Sequence, residues 1–155
     1  MSDPVDEVPI ARLLAVAYRQ LIDGLHRRLA ERGWDDVRPA YGFVLLALRD
    51  ADAKVTDLAA LLGVSKQATS KLIDQMVEGR YVTRVAPASD ARQRTIALAP
   101  RGRELLAAVE GIYGELEGEW ANLVGTQAVA RLHKTLTEVV LATHGGAFPT
   151  VRPTG

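Results

Sequence analysis

The chain has no cysteine among its 155 residues. That excludes disulfides, thiol redox sensing and thiolate metal sites. Long apolar runs are also lacking. The longest, Tyr41 to Leu48, falls far short of the roughly 18 residues that cross a bilayer. The start, Met1 to Val8, is acidic through Asp3, Asp6 and Glu7, so it lacks the basic opening and apolar stretch of a secretory signal. No lipidation motif is present, and the expected location is the cytoplasm, with no membrane partner. Catalytic signatures are missing as well. Ser2, Ser65, Ser70 and Ser89 sit in no nucleophile elbow, and no glycine-rich phosphate loop occurs. His26, His133 and His144 have neither each other nor carboxylates at ligand spacing. The expectation is a non-enzyme with no metal and no cofactor.

Net charge is absent too, with 19 Lys and Arg against 19 Asp and Glu. Its distribution is uneven. Residues 64–103 hold eight basic residues (Lys66, Lys71, Arg80, Arg84, Arg92, Arg94, Arg101, Arg103) and three acids (Asp74, Glu78, Asp90), a net +5. The rest of the chain carries 11 basic and 16 acidic residues, a net −5. A basic middle in an acidic frame is the footprint of a phosphate-binding surface, although a solvated cluster gives the same count.

The apolar periodicity predicts a mainly helical chain. Ile10, Leu14, Ala17, Leu21, Leu25 and Leu29 recur at helical steps over residues 10–32, and Gly33 stops that run. Pro39 opens a second helix to Arg49, apolar over Phe43 to Leu48 and so expected to be buried all round. Thr56 reads as the N-cap of a short third helix with Leu58, Ala59, Leu61 and Leu62, ended by Gly63. Ser65 caps a fourth over Lys66 to Glu78, ended by Gly79. Two β-rich segments, Tyr81–Val85 and Thr95–Leu98, flank a polar loop and read as a hairpin. A long helix from Arg101 to Leu123 follows, then Gly125 as a break, Thr126 as a cap, and a last helix over Ala128 to Thr143. Gly111, Gly114 and Gly118 in the long helix fit either tolerated weakness or a close helix approach.

Two short helices joined at Gly63-Val64-Ser65 make a helix-turn-helix. Small Ala59 lets the helices cross, Gly63 supplies the turn, and Val64 is expected to plug the gap beneath it. Ala68, Leu72 and Met76 are the expected buried face of the second helix. Ser65, Lys66, Gln67, Thr69, Ser70 and Lys71 then remain near its start. That is the amide, hydroxyl and cation set that a major-groove helix needs. The hairpin adds Arg84, Arg92 and Arg94. An Arg at a ribbon tip suits the narrow minor groove, and Asp90 suits holding that Arg in place.

Leu45 to Gly102 resembles the DNA-binding region of the MarR (multiple antibiotic resistance regulator) family. The matching pieces are Leu45-Leu46-Ala47-Leu48, Leu58-Ala59, Leu62 to Thr69, Leu72-Ile73-Asp74, Gly79 to Arg84, and Asp90-Ala91-Arg92 with Ile96 to Gly102. Ala99 departs from the hydroxyl residue usual before Pro100. The resemblance implies a single winged helix-turn-helix domain with a DNA-binding lobe at 40–100, dimerisation helices at 8–34 and 101–145, and a tail at 146–155. It implies a sequence-specific duplex-DNA regulator, a ligand-responsive repressor acting as a homodimer on a palindromic operator, with Arg92 in the minor groove. It also implies a small aromatic effector between the dimer helices and the lobe. Tyr18, Trp34, Tyr41 and Tyr113 are the candidates to line that pocket, and core packing accounts for the same aromatics.

Overall fold

Six helices and one hairpin follow in the predicted order in the computed structural model, which describes residues 7–86 and 94–148. They are α1 (Ile10–Glu31), α2 (Pro39–Ala47), α3 (Val55–Leu62), α4 (Lys66–Glu78), β1 (Val82–Val85), β2 (Thr95–Leu98), α5 (Pro100–Val124) and α6 (Thr126–Thr143). The strands pair antiparallel from Val82 opposite Leu98 to Val85 opposite Thr95. Ala53, in the loop before α3, adds a bridge through its N–H to the Ile96 carbonyl at 3.1 Å and the reverse bond at 2.7 Å. The hairpin is thereby tied to the front of α3, which periodicity did not suggest. None of the described helices is long and apolar enough to cross a membrane.

The core gathers Leu25 and Leu29 of α1, Tyr41, Val44 and Leu45 of α2, Leu58 of α3, Ile73 and Met76 of α4, Tyr81, Val82 and Ile96 of the hairpin, and Leu105, Val109, Ile112 and Leu116 of α5. α5 is the spine, with α1, α2, β2 and α6 all packed against it. Arg28 bonds Glu115 and Glu119, Arg32 bonds Glu115 at 2.8 Å, and Arg49 pairs with Glu110. These ties run along the rim of the α1–α5 and α2–α5 seams, where exposed pairs each contribute little, about 0–1 kcal/mol.

Glycine is required at Gly102. A Cβ there would stand 1.9 Å from the Tyr81 carbonyl oxygen. The same oxygen accepts the Ala99 N–H at 3.0 Å, so the start of α5 is pressed directly onto the wing base. Ala99 provides no side-chain cap, and Pro100 opens the helix instead.

Several local expectations are corrected. α3 begins two residues early, with Lys54 as its N-cap and Asp57, not Thr56, supplying the cap bond by accepting the Lys54 N–H at 3.3 Å. Gly79 keeps a negative φ, and the left-handed residue that ends α4 is Arg80 at φ 66°. Gly79 is needed for space, since a Cβ would meet the Tyr81 ring at 2.8 Å. Gly125 at φ 96° separates α5 from α6, and Thr126 is the first helical residue rather than the cap. α2 is not buried all round, because Phe43 and Leu46 stand nearly half exposed. Val64 is also exposed instead of plugging the turn. Gly111, Gly114 and Gly118 face open space within this chain.

Candidate functional site

The turn between α3 and α4 is built as its residues dictate. Gly63 adopts φ 66°, ψ 27°, a left-handed conformation that costs a residue with a Cβ. Ser65 stays extended, and its Oγ accepts the Ala68 N–H at 3.1 Å. That bond satisfies one of the orphan donors at the helix start and fixes where α4 begins.

The buried face of α4 is Thr69, Ile73 and Met76, at steps of four and three. This rotates the helix from the predicted face, since Ala68 is exposed and Leu72 only half-buried. Thr69 is consequently lost as a base contact. It is fully buried, and its hydroxyl donates to the Ser65 carbonyl at 3.0 Å. Ser65, Lys66, Gln67 and Lys71 are exposed, and Ser70 is half-buried beside them. Ser65, Gln67, Ala68, Ser70, Lys71 and Asp74 line one open groove along the outer face of α4. Sequence and structure agree on that side of the helix apart from Thr69 and the addition of Asp74.

Asp74 has the wrong sign for a phosphate-facing groove. Arg84 of β1 neutralises it through a salt bridge. Arg84 is therefore not a free cation on the wing. It ties β1 to the middle of α4. Arg94 is exposed at the start of the β2 arm. Asp90 and Arg92 lie outside the described residues.

A second tie escaped the sequence reading. Tyr81 is fully buried up to its hydroxyl, which donates to Asp36 at 2.6 Å and accepts from Arg101 at 3.1 Å. Arg101 also reaches Asp36 at 3.6 Å and lies over the Tyr81 and Trp34 rings, 4.8 and 5.5 Å from their centroids. Burial, and then the Asp36 hydrogen bond, push the Tyr81 phenol above its ordinary range, so it remains a donor. Arg38, just before α2, donates to Gln75 of α4 at 2.8 Å. The one signal for these partners was an Asp, an Arg and a Trp crowded into a short loop. Nothing local says where they reach.

The four candidate pocket aromatics separate into two pairs. Tyr18 and Tyr113 line a cavity of about 260 Å3 together with Leu25, His26, Phe43 and Leu46. Its remaining walls come from α1, the 37–39 segment, Gly42 and Val109, and no Lys or Arg is among them. Burial raises both phenols above their usual range, with Tyr18 adding to the shift at Tyr113. Trp34 and Tyr41 are not in the cavity. They pack on Tyr81, with ring centroids 6.3 and 5.6 Å apart, because that buried ring needs apolar neighbours.

A third feature is a surface. α6 buries none of its residues, and Leu132, Leu136 and Val139 form an exposed apolar stripe at steps of four and three. Ile10, Leu13, Leu14 and Val16 of α1 are exposed too, as are Leu123 and Val124 at the end of α5.

Comparison with known proteins bears on this architecture. Residues 35–93 match the model of the MarR family. A Rhizobium meliloti protein, the exopolysaccharide II synthesis transcriptional activator ExpG, is 32% identical over 98 residues, which is 63% of this chain. The match spans 50% of that relative's length. Wild-type MarR from E. coli superposes with a TM-score of 0.71 at 23% identity, over 86% of this chain and 97% of that one. A point mutant of S. aureus MepR bound to an oligodeoxyribonucleotide gives 0.60 at 18% identity, over 88% and 99%. The two superpositions establish a shared fold, and the match over 35–93 covers the second helix, the helix-turn-helix and the first wing strand, ending before β2. Over residues 35–93 the chain is similar to the MarR family, and its architecture as a whole shares the fold of E. coli MarR.

Proposed function

We propose that this protein is a transcriptional regulator that binds duplex DNA with sequence specificity as a homodimer. The observation that carries the reading is α4. Its first turns present Ser65, Lys66, Gln67, Ser70 and Lys71 outward, while Thr69, Ile73 and Met76 hold its back in the core. A capped helix start with an amide, hydroxyls and cations fits the major groove. The net +5 of residues 64–103 supplies the phosphate attraction. The oligonucleotide-bound MepR shares the fold. Arg92 remains the proposed minor-groove contact and Asp90 its holder, on sequence grounds alone. Dimerisation rests on the bare stripes of α1, α5 and α6, which exposure to water penalises. Two-fold pairing through those helices makes the preferred operator palindromic.

The cavity beside Tyr18 and Tyr113 is the proposed effector site, and a small aromatic compound is the proposed effector. Repression follows if DNA binding occludes a promoter and the effector releases it. The curated relative is named an activator, and that observation favours the opposite sign. A reporter fused to the selected operator, with and without the protein, separates the two.

The direct test divides labour among the DNA contacts. Gln67→Ala is expected to cost about 1–3 kcal/mol on the selected duplex and leave non-specific binding intact. Arg92→Ala is expected to weaken binding to all sequences, with a salt slope shallower by roughly one charge. Titrations against selected and scrambled duplexes at two salt concentrations check both. Equal loss on both duplexes for Gln67→Ala would show α4 to be a phosphate contact only.

A further inference from the structure

The segment between α1 and α2 has two faces. Val37 and Pro39 line the cavity. Asp36 and Arg38, alternating with them, make the bonds to Tyr81 and Gln75. Arg38 is extended at φ −95°, ψ 153°, and an extended chain sends successive side chains to opposite sides. The same few residues are thus one wall of the cavity and the tether of the DNA-reading lobe. Asp36 holds the residue that starts the wing. Arg38 holds α4 one turn beyond Lys71, which faces the groove. Neither residue belongs to the helix-turn-helix, and neither is in the DNA-facing set.

We infer that Asp36 and Arg38 are positioning residues for the recognition helix, and that residues 36–39 are the strap through which filling of the cavity alters DNA binding. The inference extends the proposed regulator reading to the route by which its cavity acts. A body in the cavity pushes on Val37 and Pro39. The strap joins α2 only at its end, where the extended Arg38 carbonyl accepts the Tyr41 N–H at 3.0 Å. Its displacement lengthens the 2.6 Å Tyr81–Asp36 and 2.8 Å Arg38–Gln75 bonds or carries their partners along. Either outcome shifts α4 relative to α2, and a helix moves as a rigid rod over the single turn from Gln75 to Lys71. A ligand acts this way only through different affinity for the two strap positions.

The test needs no knowledge of the natural effector. Gly42 lines the cavity, and a Cβ built there meets nothing within 4 Å. Gly42→Phe therefore fills the cavity from within, and Gly42→Ala controls for the change in helix propensity. Thermal melts establish that each variant folds, with Gly42→Leu replacing Phe if it does not. Affinity is measured for a duplex selected in vitro with the wild-type protein. The filled variant is expected to bind at least about fivefold more weakly than Gly42→Ala, the low end of allosteric coupling. In an Arg38→Ala or Asp36→Ala background that ratio should fall below about twofold, as a double-mutant cycle requires of coupled sites. The inference is overturned if the ratio survives in both backgrounds, or if the filled variant binds as the Ala control does. Wild type with 2-naphthol or 2-naphthoate tests the effector reading separately. If filling acts through the strap while neither compound changes the melting temperature or the DNA affinity, the strap stands and the small-aromatic reading falls.

Discussion

Helices α4 and α6 differ in how completely a single chain satisfies them. The 13-residue α4 buries Thr69, Ile73 and Met76, is capped by Ser65, and is tied from outside by Arg84 and Arg38. The 18-residue α6 buries nothing, and its apolar stripe is open. Both are amphipathic, so periodicity alone does not separate them. The difference lies in what faces the apolar side. For α4 it is α3 and the wing base, within the chain. α6 packs on α5, and its Leu132, Leu136 and Val139 stripe stays exposed in the described chain. The lobe of α3, α4 and the wing is finished by its own chain, whereas the helical frame leaves apolar surface exposed.

The strongest way to break that contrast is to charge the open stripe. Leu132→Glu with Leu136→Glu places two carboxylates where the proposed dimer seals, and each uncompensated buried charge costs roughly 3–5 kcal/mol. Light scattering should then report a folded monomer. An unchanged dimer would mean that α6 is not the seam. A smaller but still large effect belongs to the finished lobe. Gly102→Ala forces a methyl onto the Tyr81 carbonyl, and overpacking of this kind costs about 1–3 kcal/mol or more. The melting temperature should drop, while subunit association stays unchanged.

Tyr81→Phe sharpens the comparison inside the lobe. It leaves the ring in the core but removes the hydroxyl between Asp36 and Arg101. A hydrogen bond of this kind is worth about 1–3 kcal/mol when one partner is charged. Denaturant titration should place the loss at the low end, because Asp36 and Arg101 remain half exposed and can still pair. A loss as large as that of Gly102→Ala would mean that the hydroxyl network, rather than the packed ring, holds the wing base.

The smallest expected effect is at the rim of α1 and α5. Hydrogen bonding from Arg32, together with the nearby Arg28 charge, holds the Glu115 carboxyl below its usual range. A depressed carboxylate pKa contributes stability that is present above the unfolded-state value, about 4.3, and is lost as pH falls through the folded one. The wild type's small advantage over Glu115→Gln should therefore shrink as pH is lowered below that value. Equilibrium unfolding at neutral and acidic pH checks the sign, and a growing advantage on acidification would refute it.

The element order, the turn at Gly63, the Ser65 cap and the outward set on α4 were all legible in the sequence. Each depends on neighbours within a few residues: a glycine where φ is positive, a hydroxyl where a helix begins, apolar residues at helical steps. Local signals misplaced what depends on a helix's exact rotation. Thr69 looked like a base contact because it stands among polar residues, yet one step of 100° decides between groove and core, and packing against α3 made that choice. The aromatic candidates divided for a related reason. Tyr41 and Trp34 went to the buried Tyr81 ring, and Tyr18 and Tyr113 to the cavity, according to which helices cross there.

What the sequence determined alone was therefore the list and order of elements, the Gly63 turn, the Ser65 cap and the basic stretch over 64–103, since all of these are local chemistry or composition. Only the tertiary structure decided that Arg84 is held by Asp74, that Asp36 and Arg38 reach Tyr81 and Gln75, and that the 37–39 segment walls a cavity. Those partners lie 10 to 45 residues apart in the chain. No period or motif encodes such a pairing, because it exists only once the helices have crossed and brought the two side chains within bonding distance.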